Sequence, residues 1–151
     1  GGKPLMALAL VGMPINVLPH EDIAAILDGG REVCAKAGIP VAGGHSIDSV
    51  EPIYGLAVIG IVDPKFLKKS STARDGDILV LGKSLGVGIY SAALKKNKLA
   101  ADLYDRMIAS TTQLNTPGEK LASMPGVHAL TDVTGFGLLG HALEICKGFR
   151  R

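Results

Sequence analysis

Hydrophobic residues near the start of the chain form a continuous run and then a helically spaced series. The run from Leu5 to Val11 has the length of a strand and ends at a Gly-Met-Pro stretch, so it predicts a buried strand. Apolar residues from Ile23 to Ala37 then recur at helical spacing. Glu21 and Asp22 stand in the first turn, where the helix dipole favours acids. A helix is therefore expected after the first strand, with the glycine at position 38 at its C-terminal cap.

Two adjacent glycines, Gly29 and Gly30, lie inside the predicted helix. Glycine in a helix interior is less favourable than alanine by about 1 kcal/mol per residue. We expect close packing against a neighbouring backbone to offset this cost, because a residue without a side chain permits such an approach.

Two further strands are expected in the first half of the chain. Ile39 to Ala42 is a short apolar run. Ile53 to Val62 is longer and lacks polar alternation, which is typical of strands covered on both faces. Between these runs stands Gly43-Gly44-His45-Ser46, which we interpret as a loop.

The composition changes between Asp63 and Asp77, where polar and basic residues replace the apolar runs. We place a subdomain boundary here and divide the chain into residues 1–68 and 69–151. The second part is expected to contain, in order, a strand at Ile78 to Leu81, helices near Val87 to Leu94 and Leu99 to Leu114, a loop at Thr116-Pro117-Gly118, a strand near Val127 to Leu130 and a last helix from about Thr134.

The composition also narrows the classes of partner. The 151 residues are 47% hydrophobic and 20% charged, which suffices for one ordinary core or two small subdomains. A net charge of +2, with scattered basic residues and 4% aromatic residues, argues against a nucleic-acid partner. No apolar run approaches the roughly 20 residues of a bilayer span. Cys34 and Cys146 lie far apart, outside any Cys-x-x-Cys motif, so a reduced, cytoplasmic setting is expected.

The segment from Thr131 to His141 carries the most specific chemistry. Asp132 follows a predicted strand, and the glycines of Gly135-Phe136-Gly137-Leu138-Leu139-Gly140 open the next helix. A helix start offers unpaired N–H groups and the positive end of a dipole, and an aspartate beside it can hold a hard cation that shares phosphate oxygens. This arrangement suits a metal-bound phosphate.

Two other interpretations of this segment stay open from the residues alone. Gly135 to Gly140 matches the G-x-G-x-x-G of a dinucleotide-binding Rossmann turn. Against that match, Asp132 would repel a bare pyrophosphate, and the acidic residue that should follow by roughly 20 positions would fall beyond the last residue of the chain. In the other interpretation, Asp132 is an ordinary turn residue and Thr134 is a helix N-cap.

Gly43-Gly44-His45-Ser46 is a second candidate binding segment. Its glycines allow a ligand to come close to the backbone, and the side chains of His45 and Ser46 are able to contact a phosphate or a base edge. The alternative is a glycine-containing turn with a surface histidine.

Other motifs are interpreted as structural. Gly82-Lys83-Ser84 resembles the end of a Walker A loop, but the upstream Gly76 is one residue too far away and an apolar strand fills the gap. His141 falls on the predicted last helix one turn from Leu138, which favours a packed, hydrogen-bonded histidine. Both cysteines fall on apolar helix faces and are expected in the core.

Four separated segments together resemble the selenophosphate synthetase family, whose enzymes are also called selenide, water dikinases. The segments are Gly1 to Pro4, Ala42 to Asp48, Glu51 to Val58 and Thr131 to Gly137, and the resemblance covers the whole chain in order. A wider superfamily, which includes aminoimidazole ribonucleotide synthetase and thiamine-monophosphate kinase, shares the ATP site more loosely.

The resemblance implies an ATP-dependent enzyme that makes selenophosphate from selenide with magnesium and releases AMP and orthophosphate. It implies a homodimer whose N-terminal halves form a shared β-barrel near which ATP binds. Gly44, His45 and Ser46 match nucleotide-binding positions that reach into the partner's site, and Asp132 matches a magnesium-binding aspartate. The expected fold is α+β, with the end of the barrel-forming, dimerising domain in residues 1–68 and the start of a C-terminal α/β domain in 69–151.

The family pattern also extends beyond this chain on both sides. Its nucleophilic Cys or selenocysteine, an essential Lys, a glycine-rich segment and two more magnesium aspartates precede the position of Gly1, and its C-terminal half continues past Arg151. We therefore expect the isolated chain to be catalytically inactive and to bind nucleotide weakly. The alternatives are another ATP-dependent kinase or synthetase of the superfamily, or a non-catalytic dimerising interaction module.

Overall fold

The computed structural model describes residues 1–149, which form an α+β fold of two compact units. Residues 2–63 form the first, here named the sheet unit, and residues from Pro64 onward, with Gly1, form the second, here named the helical unit. The fold class agrees with the sequence prediction. Within residues 1–149, no helix combines the length and the apolar character that crossing a bilayer requires.

The sheet unit contains three strands and one helix: β1 (Lys3–Met13), α1 (His20–Lys36), β2 (Val41–Asp48) and β3 (Ile53–Ile61). The strand order is β2-β1-β3, with β1 parallel to β2 and antiparallel to β3. Two parallel neighbouring strands need a crossover connection, and α1 provides it. The predictions of a first strand, a following helix and a strand from Ile53 are confirmed.

The core of the sheet unit lies between α1 and one face of the sheet. Ala7, Cys34 and Ile39 are buried there, and Ala37, Val41 and Leu56 pack against them. The predicted placement of Cys34 in the core is confirmed.

The end of α1 depends on a glycine in the left-handed conformation. Gly38 has a φ of 72°, and its N–H donates to the carbonyl of Ala35, while the N–H of Ile39 donates to the carbonyl of Cys34. This backbone conformation is inexpensive for glycine alone, and it turns the chain toward β2. The predicted role of this glycine at the helix end is confirmed.

The two glycines inside α1 have different surroundings. A Cβ on Gly30 would overlap the hydroxyl and ring of Tyr54 on β3, whereas a Cβ on Gly29 would meet no atom within 4 Å. Close packing is thus found at Gly30, but against a side chain rather than the predicted neighbouring backbone.

The prediction of a loop at Gly43 to Ser46 is wrong, because these residues belong to strand β2. Gly44 pairs with Ala9, and a Cβ at Gly44 would overlap the backbone of Ala9. Glycine therefore lets the two strands approach closely, and the ladder with β1 outweighs the low strand propensity of glycine. The prediction that β3 is covered on both faces is also wrong, since Ile53 is 62% exposed.

The helical unit contains four α-helices within the described residues: α2 (Val87–Lys95), α3 (Ala101–Thr112), α4 (Pro117–Ser123) and α5 (Gly137–Phe149). Short 3-10 turns occupy Pro64–Phe66 and Ser70–Thr72. The α2 and α3 helices pack against each other, and α5 packs against the second 3-10 turn. The helices predicted near residues 87 and 99 are confirmed, and the last one begins three positions later than expected.

Three predictions in the helical unit are wrong. Ile78 to Leu81 and Val127 to Leu130 form no strand, because no neighbouring strand within residues 1–149 pairs with either run. The expected loop at Thr116 to Gly118 is instead the start of α4, with Pro117 at the first helical position. Proline suits that position because the first N–H groups of a helix lack intrahelical acceptors.

Lys83 has a structural role that agrees with the rejection of a phosphate-binding loop. Its ammonium group donates hydrogen bonds to the carbonyls of Ser110, at 3.2 Å, and of Gln113. Both carbonyls belong to the C-terminal end of α3, where unpaired acceptors and the negative end of the helix dipole favour a cation.

Candidate functional site

The predicted nucleotide-binding residues Gly44, His45 and Ser46 are consecutive on β2 in the sheet unit. They pair with Ala9, Leu10 and Val11 of β1, respectively. Side chains alternate along a strand, and directly paired residues share a face. His45 therefore projects from the face opposite α1, whereas Ser46 belongs to the face that α1 partly covers.

The face of the sheet that carries His45, here named the open face, is apolar and exposed. Four large hydrophobic residues on it are between 43% and 62% exposed, namely Leu10, Ile47, Ile53 and Ile59, whereas Met6 and Leu8 on the same face are half-buried. Sheets normally bury their apolar side against another layer of structure, and this face has no such layer within the sheet unit.

Asp132, the predicted magnesium ligand, belongs to the helical unit. It lies in an irregular segment before α5, and its carboxylate is exposed and makes no hydrogen bond to any of residues 1–149. The glycines that follow shape the turn into the helix: Gly137 has a φ of 67°, and its N–H donates to the carbonyl of Thr134 at 2.9 Å.

His141 is buried on α5 and holds the segment that contains Asp132. Its Nε2 accepts a hydrogen bond from the N–H of Thr134 at 3.1 Å and lies 3.2 Å from the Thr134 hydroxyl. Accepting this bond requires Nε2 to be unprotonated, whereas Nδ1 is buried, makes no hydrogen bond within the described residues and lies 3.3 Å from a carboxylate oxygen of Glu144. The ring also packs beside Phe136. The prediction of a packed, hydrogen-bonded histidine is confirmed.

A second histidine contact in the helical unit was missed by sequence reasoning. Nδ1 of His128 lies 2.8 Å from Oδ1 of Asp77, and Oδ2 of Asp77 accepts the N–H of Arg74 at 2.8 Å. The Arg74 N–H, followed by the hydrogen bond with His128, lowers the pKa of Asp77 below its ordinary value. His128 and Asp77 are 51 positions apart, so no local spacing could have indicated this pair.

The backbone of His128 is held as well. The hydroxyl of Thr72 contacts the carbonyl of His128 and the carbonyl of Lys69, each at 2.7 Å. Two interactions therefore hold His128, one through its side chain and one through its main chain.

Both cysteines are free thiols. Cys34 is buried on the side of α1 that packs on the sheet. Cys146 is exposed, so the prediction that it lies in the core is wrong. Burial, with a smaller contribution from the neighbouring Cys34, raises the pKa of Tyr54.

Among residues 1–149, no cluster of three or more His, Cys, Asp or Glu residues could hold a metal ion by itself.

Two family models cover most of the chain. The N-terminal domain of the AIR synthase related proteins matches residues 1–62, and the C-terminal domain of the same proteins matches residues 74–149. The chain belongs to the AIR synthase related family.

Among curated proteins, the chain is similar to selenide, water dikinases. It is 73% identical over 148 residues to the one from Burkholderia orbicola (strain MC0-3) and 69% identical over 148 residues to the one from Pseudomonas straminea. The one from Rhizobium meliloti (strain 1021) is 63% identical over 147 residues. These alignments cover 97% to 98% of this chain and 42% of each relative, so the chain spans less than half the length of the proteins it matches.

Proposed function

We propose that this chain forms part of a selenophosphate synthetase, which phosphorylates selenide with ATP and releases AMP and orthophosphate. The observation that carries this proposal is the 73% identity over 98% of the chain to a protein named selenide, water dikinase. The wider AIR synthase related family alone would leave the phosphate acceptor open. Identity at this level across both matched domains favours the acceptor of the named relatives.

ATP and magnesium are the proposed substrate and cofactor of the helical unit, with Asp132 as one metal ligand. Magnesium usually keeps several waters and takes only one or two protein carboxylates together with phosphate oxygens. Asp132 has an exposed carboxylate and precedes a helix that begins at a glycine, so it fits the role of such a single protein ligand. Bound magnesium would neutralise the phosphate charge that a chain with a net charge of +2 does not offset.

Gly44, His45 and Ser46 are the proposed nucleotide-binding residues of the sheet unit, acting across a homodimer in which two sheets form a shared β-barrel. Two features support this proposal. The open face exposes apolar residues around His45, and β2 is an edge strand with unpaired backbone groups. A second copy would cover both features and leave His45 and Ser46 near the junction of the two copies.

We further assign residues 1–68 to the ATP-binding and dimerising domain and 69–151 to the first part of the C-terminal domain. The two matched family domains meet between residues 62 and 74, and the compact units divide at Pro64, which supports a boundary in this region. A cytoplasmic setting is proposed as well, in keeping with two free thiols.

Phosphorus NMR of the full-length protein that contains this segment, supplied with ATP, magnesium and selenide, tests the reaction. Equal amounts of selenophosphate, AMP and orthophosphate are expected. Asp132→Asn should lower the rate by about 100-fold or more, because a group that stabilises phosphoryl charge is lost. The matched control is Asp75→Asn, another exposed aspartate of the helical unit. Formation of ADP without a selenium-dependent phosphorus signal would instead assign another kinase or synthetase of the family.

The 151-residue chain alone is expected to form no selenophosphate, because the family resemblance places the nucleophile outside it. Calorimetry should detect only weak binding of Mg-ATP, since Asp132 is the single magnesium aspartate matched within the chain. Tight binding without turnover would favour the alternative of a non-catalytic nucleotide-dependent module.

A further inference from the structure

We infer that His128 and His141 are positioning residues that hold the two ends of the segment 128–134, here named the Asp132 loop. The role of Asp132 as a metal ligand rests on the proposed function, whereas the holding of the loop rests on contacts within the helical unit. The side-chain partners of the two histidines are Asp77 and Thr134, so they act on Asp132 through the backbone of the loop.

The first end of the Asp132 loop is held at His128 through both its side chain and its main chain. The imidazole is 2.8 Å from the Asp77 carboxylate, which is itself oriented by the N–H of Arg74. The carbonyl of His128 lies 2.7 Å from the Thr72 hydroxyl and shares the single proton of that hydroxyl with the carbonyl of Lys69, also at 2.7 Å. A side-chain bond alone would let the backbone rotate, but the additional main-chain bond fixes the direction in which the chain leaves His128.

The second end is held at Thr134 by His141. The N–H of Thr134 donates to the buried Nε2 of His141 at 3.1 Å. Because His141 belongs to α5, this bond ties the end of the loop to a regular element. The bond also requires an unprotonated Nε2, so His141 serves as a hydrogen-bond acceptor here and carries its proton on Nδ1, toward Glu144.

Between these ends the loop has little support of its own. Residues 129–133 form no helix or strand, and the side-chain hydrogen bond found there, from the Thr131 hydroxyl to the carbonyl of Asp132, is local at 3.1 Å. Fixing both ends of a short segment restricts the positions that its central carboxylate can occupy. A ligand group that is already restricted loses less freedom on binding, and groups that orient metal ligands influence affinity strongly.

Amide hydrogen exchange and Mn²⁺-induced line broadening in NMR spectra of the 151-residue chain test this inference. Thr72→Val removes the bond to the carbonyl of His128, and His141→Leu removes the acceptor for Thr134. Each should accelerate exchange in residues 129–133 and weaken Mn²⁺ binding at Asp132 by roughly tenfold, as for other groups that orient metal ligands. Thr112→Val is the matched control, because among residues 1–149 the Thr112 hydroxyl bonds within α3, to the carbonyl of Ile108.

A rescue variant separates positioning from general packing. His141→Gln provides a carbonyl oxygen that can accept the N–H of Thr134, so it should restore slow exchange and most of the Mn²⁺ affinity that His141→Leu loses. Nitrogen-15 shifts of the wild-type imidazole should also report a proton on Nδ1 and none on Nε2.

The outcomes distinguish this inference from the proposed function. If Thr72→Val and His141→Leu both keep wild-type exchange rates in residues 129–133, the inference is wrong even when Mn²⁺ binds at Asp132. If the wild-type chain shows no broadening around Asp132, or Asp132→Asn leaves it unchanged, the ligand assignment fails. Even if the ligand assignment fails, faster exchange in Thr72→Val and in His141→Leu but not in Thr112→Val supports the holding of the loop.

Discussion

At the scale of single residues, Gly30 of α1 lies directly against the side chain of Tyr54 on the sheet. The Tyr54 hydroxyl occupies the space where a side chain at position 30 would begin, and Gly30 is buried as a result. One turn of helix offers both tight and open surroundings, since a side chain at the adjacent Gly29 would meet no neighbour within 4 Å. A side chain therefore fits at position 29 but not at position 30, although both residues are glycines of the same helix.

Gly30→Ala is expected to lower the free energy of unfolding by about 1–3 kcal/mol, because the new methyl group displaces the Tyr54 ring. Gly29→Ala should instead raise it by about 0.5–1 kcal/mol, because alanine reduces the freedom of the unfolded chain and nothing obstructs it. Urea denaturation of both variants measures the difference. In a Tyr54→Ala background the penalty at position 30 should vanish, and its persistence would show that the ring is not the cause.

Which residues lie at close contacts was partly predictable from the sequence, whereas the partners that they contact were not. The sequence predicted close packing at Gly29 and Gly30 and a close approach of a ligand at the Gly43 to Ser46 segment, but a missing side chain does not reveal what fills its space. A ring fills it at Gly30 and a strand backbone at Gly44. The burial of His141 followed from helical spacing, whereas the partner of His128 is 51 positions away and no periodicity links the two.

At the scale of elements, helices and strands with regular apolar spacing were predictable, and those that depend on a distant partner were not. The amphipathic spacing of α1 and the apolar run of β1 are local properties. Strand β2 forms because β1 provides a ladder, and the runs at Ile78 and Val127 form no strand without one. Pro117 was interpreted as part of a loop, although proline is equally suited to begin a helix.

The bond between Asp77 and His128, which joins two irregular segments of the helical unit, should make stability depend on pH. Hydrogen bonds lower the pKa of Asp77 in the folded chain, so the folded state favours the carboxylate. The resulting stabilisation is present above the unfolded pKa of about 3.9 and is lost as the pH falls through the lower folded value. Asp77→Asn should reduce stability at pH 7 and flatten the loss in acid.

Urea midpoints measured between pH 7 and pH 2.5 provide the test. Asp75→Asn, two residues away and also exposed, is the control and should keep the acid slope of the wild type. Equal slopes for wild type and Asp77→Asn would contradict the assignment of the stabilisation to this carboxylate.

At the scale of the whole molecule, the sheet unit has one face that α1 partly covers and one face that no element of the unit covers. Only α1 packs on the sheet within this unit, and the apolar residues of the open face remain accessible to solvent. Monomeric proteins rarely leave contiguous apolar surface of this kind uncovered. The proposed homodimer would bury it, and the dimer's existence can be tested independently of any reaction.

Leu10→Lys, at the centre of the open face, is expected to shift the chain from dimer to monomer, because a buried ammonium group without a partner is strongly unfavourable. Val17→Lys is the control, since Val17 is 78% exposed and lies in the connection between β1 and α1. Sedimentation velocity should show a dimer for wild type and Val17→Lys and a monomer for Leu10→Lys. A monomeric wild type at micromolar concentration would contradict dimerisation through this face.

The central position of β1 has a consequence for biosynthesis. Both neighbours of this strand come later in the chain. In the antiparallel ladder, Lys3 pairs with Ile61, which is synthesised 58 residues later. During translation at about 5–20 residues per second, Lys3 therefore waits roughly 3–12 seconds for its partner to be synthesised. For most of that interval, until Asp48 is synthesised, neither of the strands that flank β1 in the folded sheet is complete, so the apolar run of β1 has no complete ladder partner.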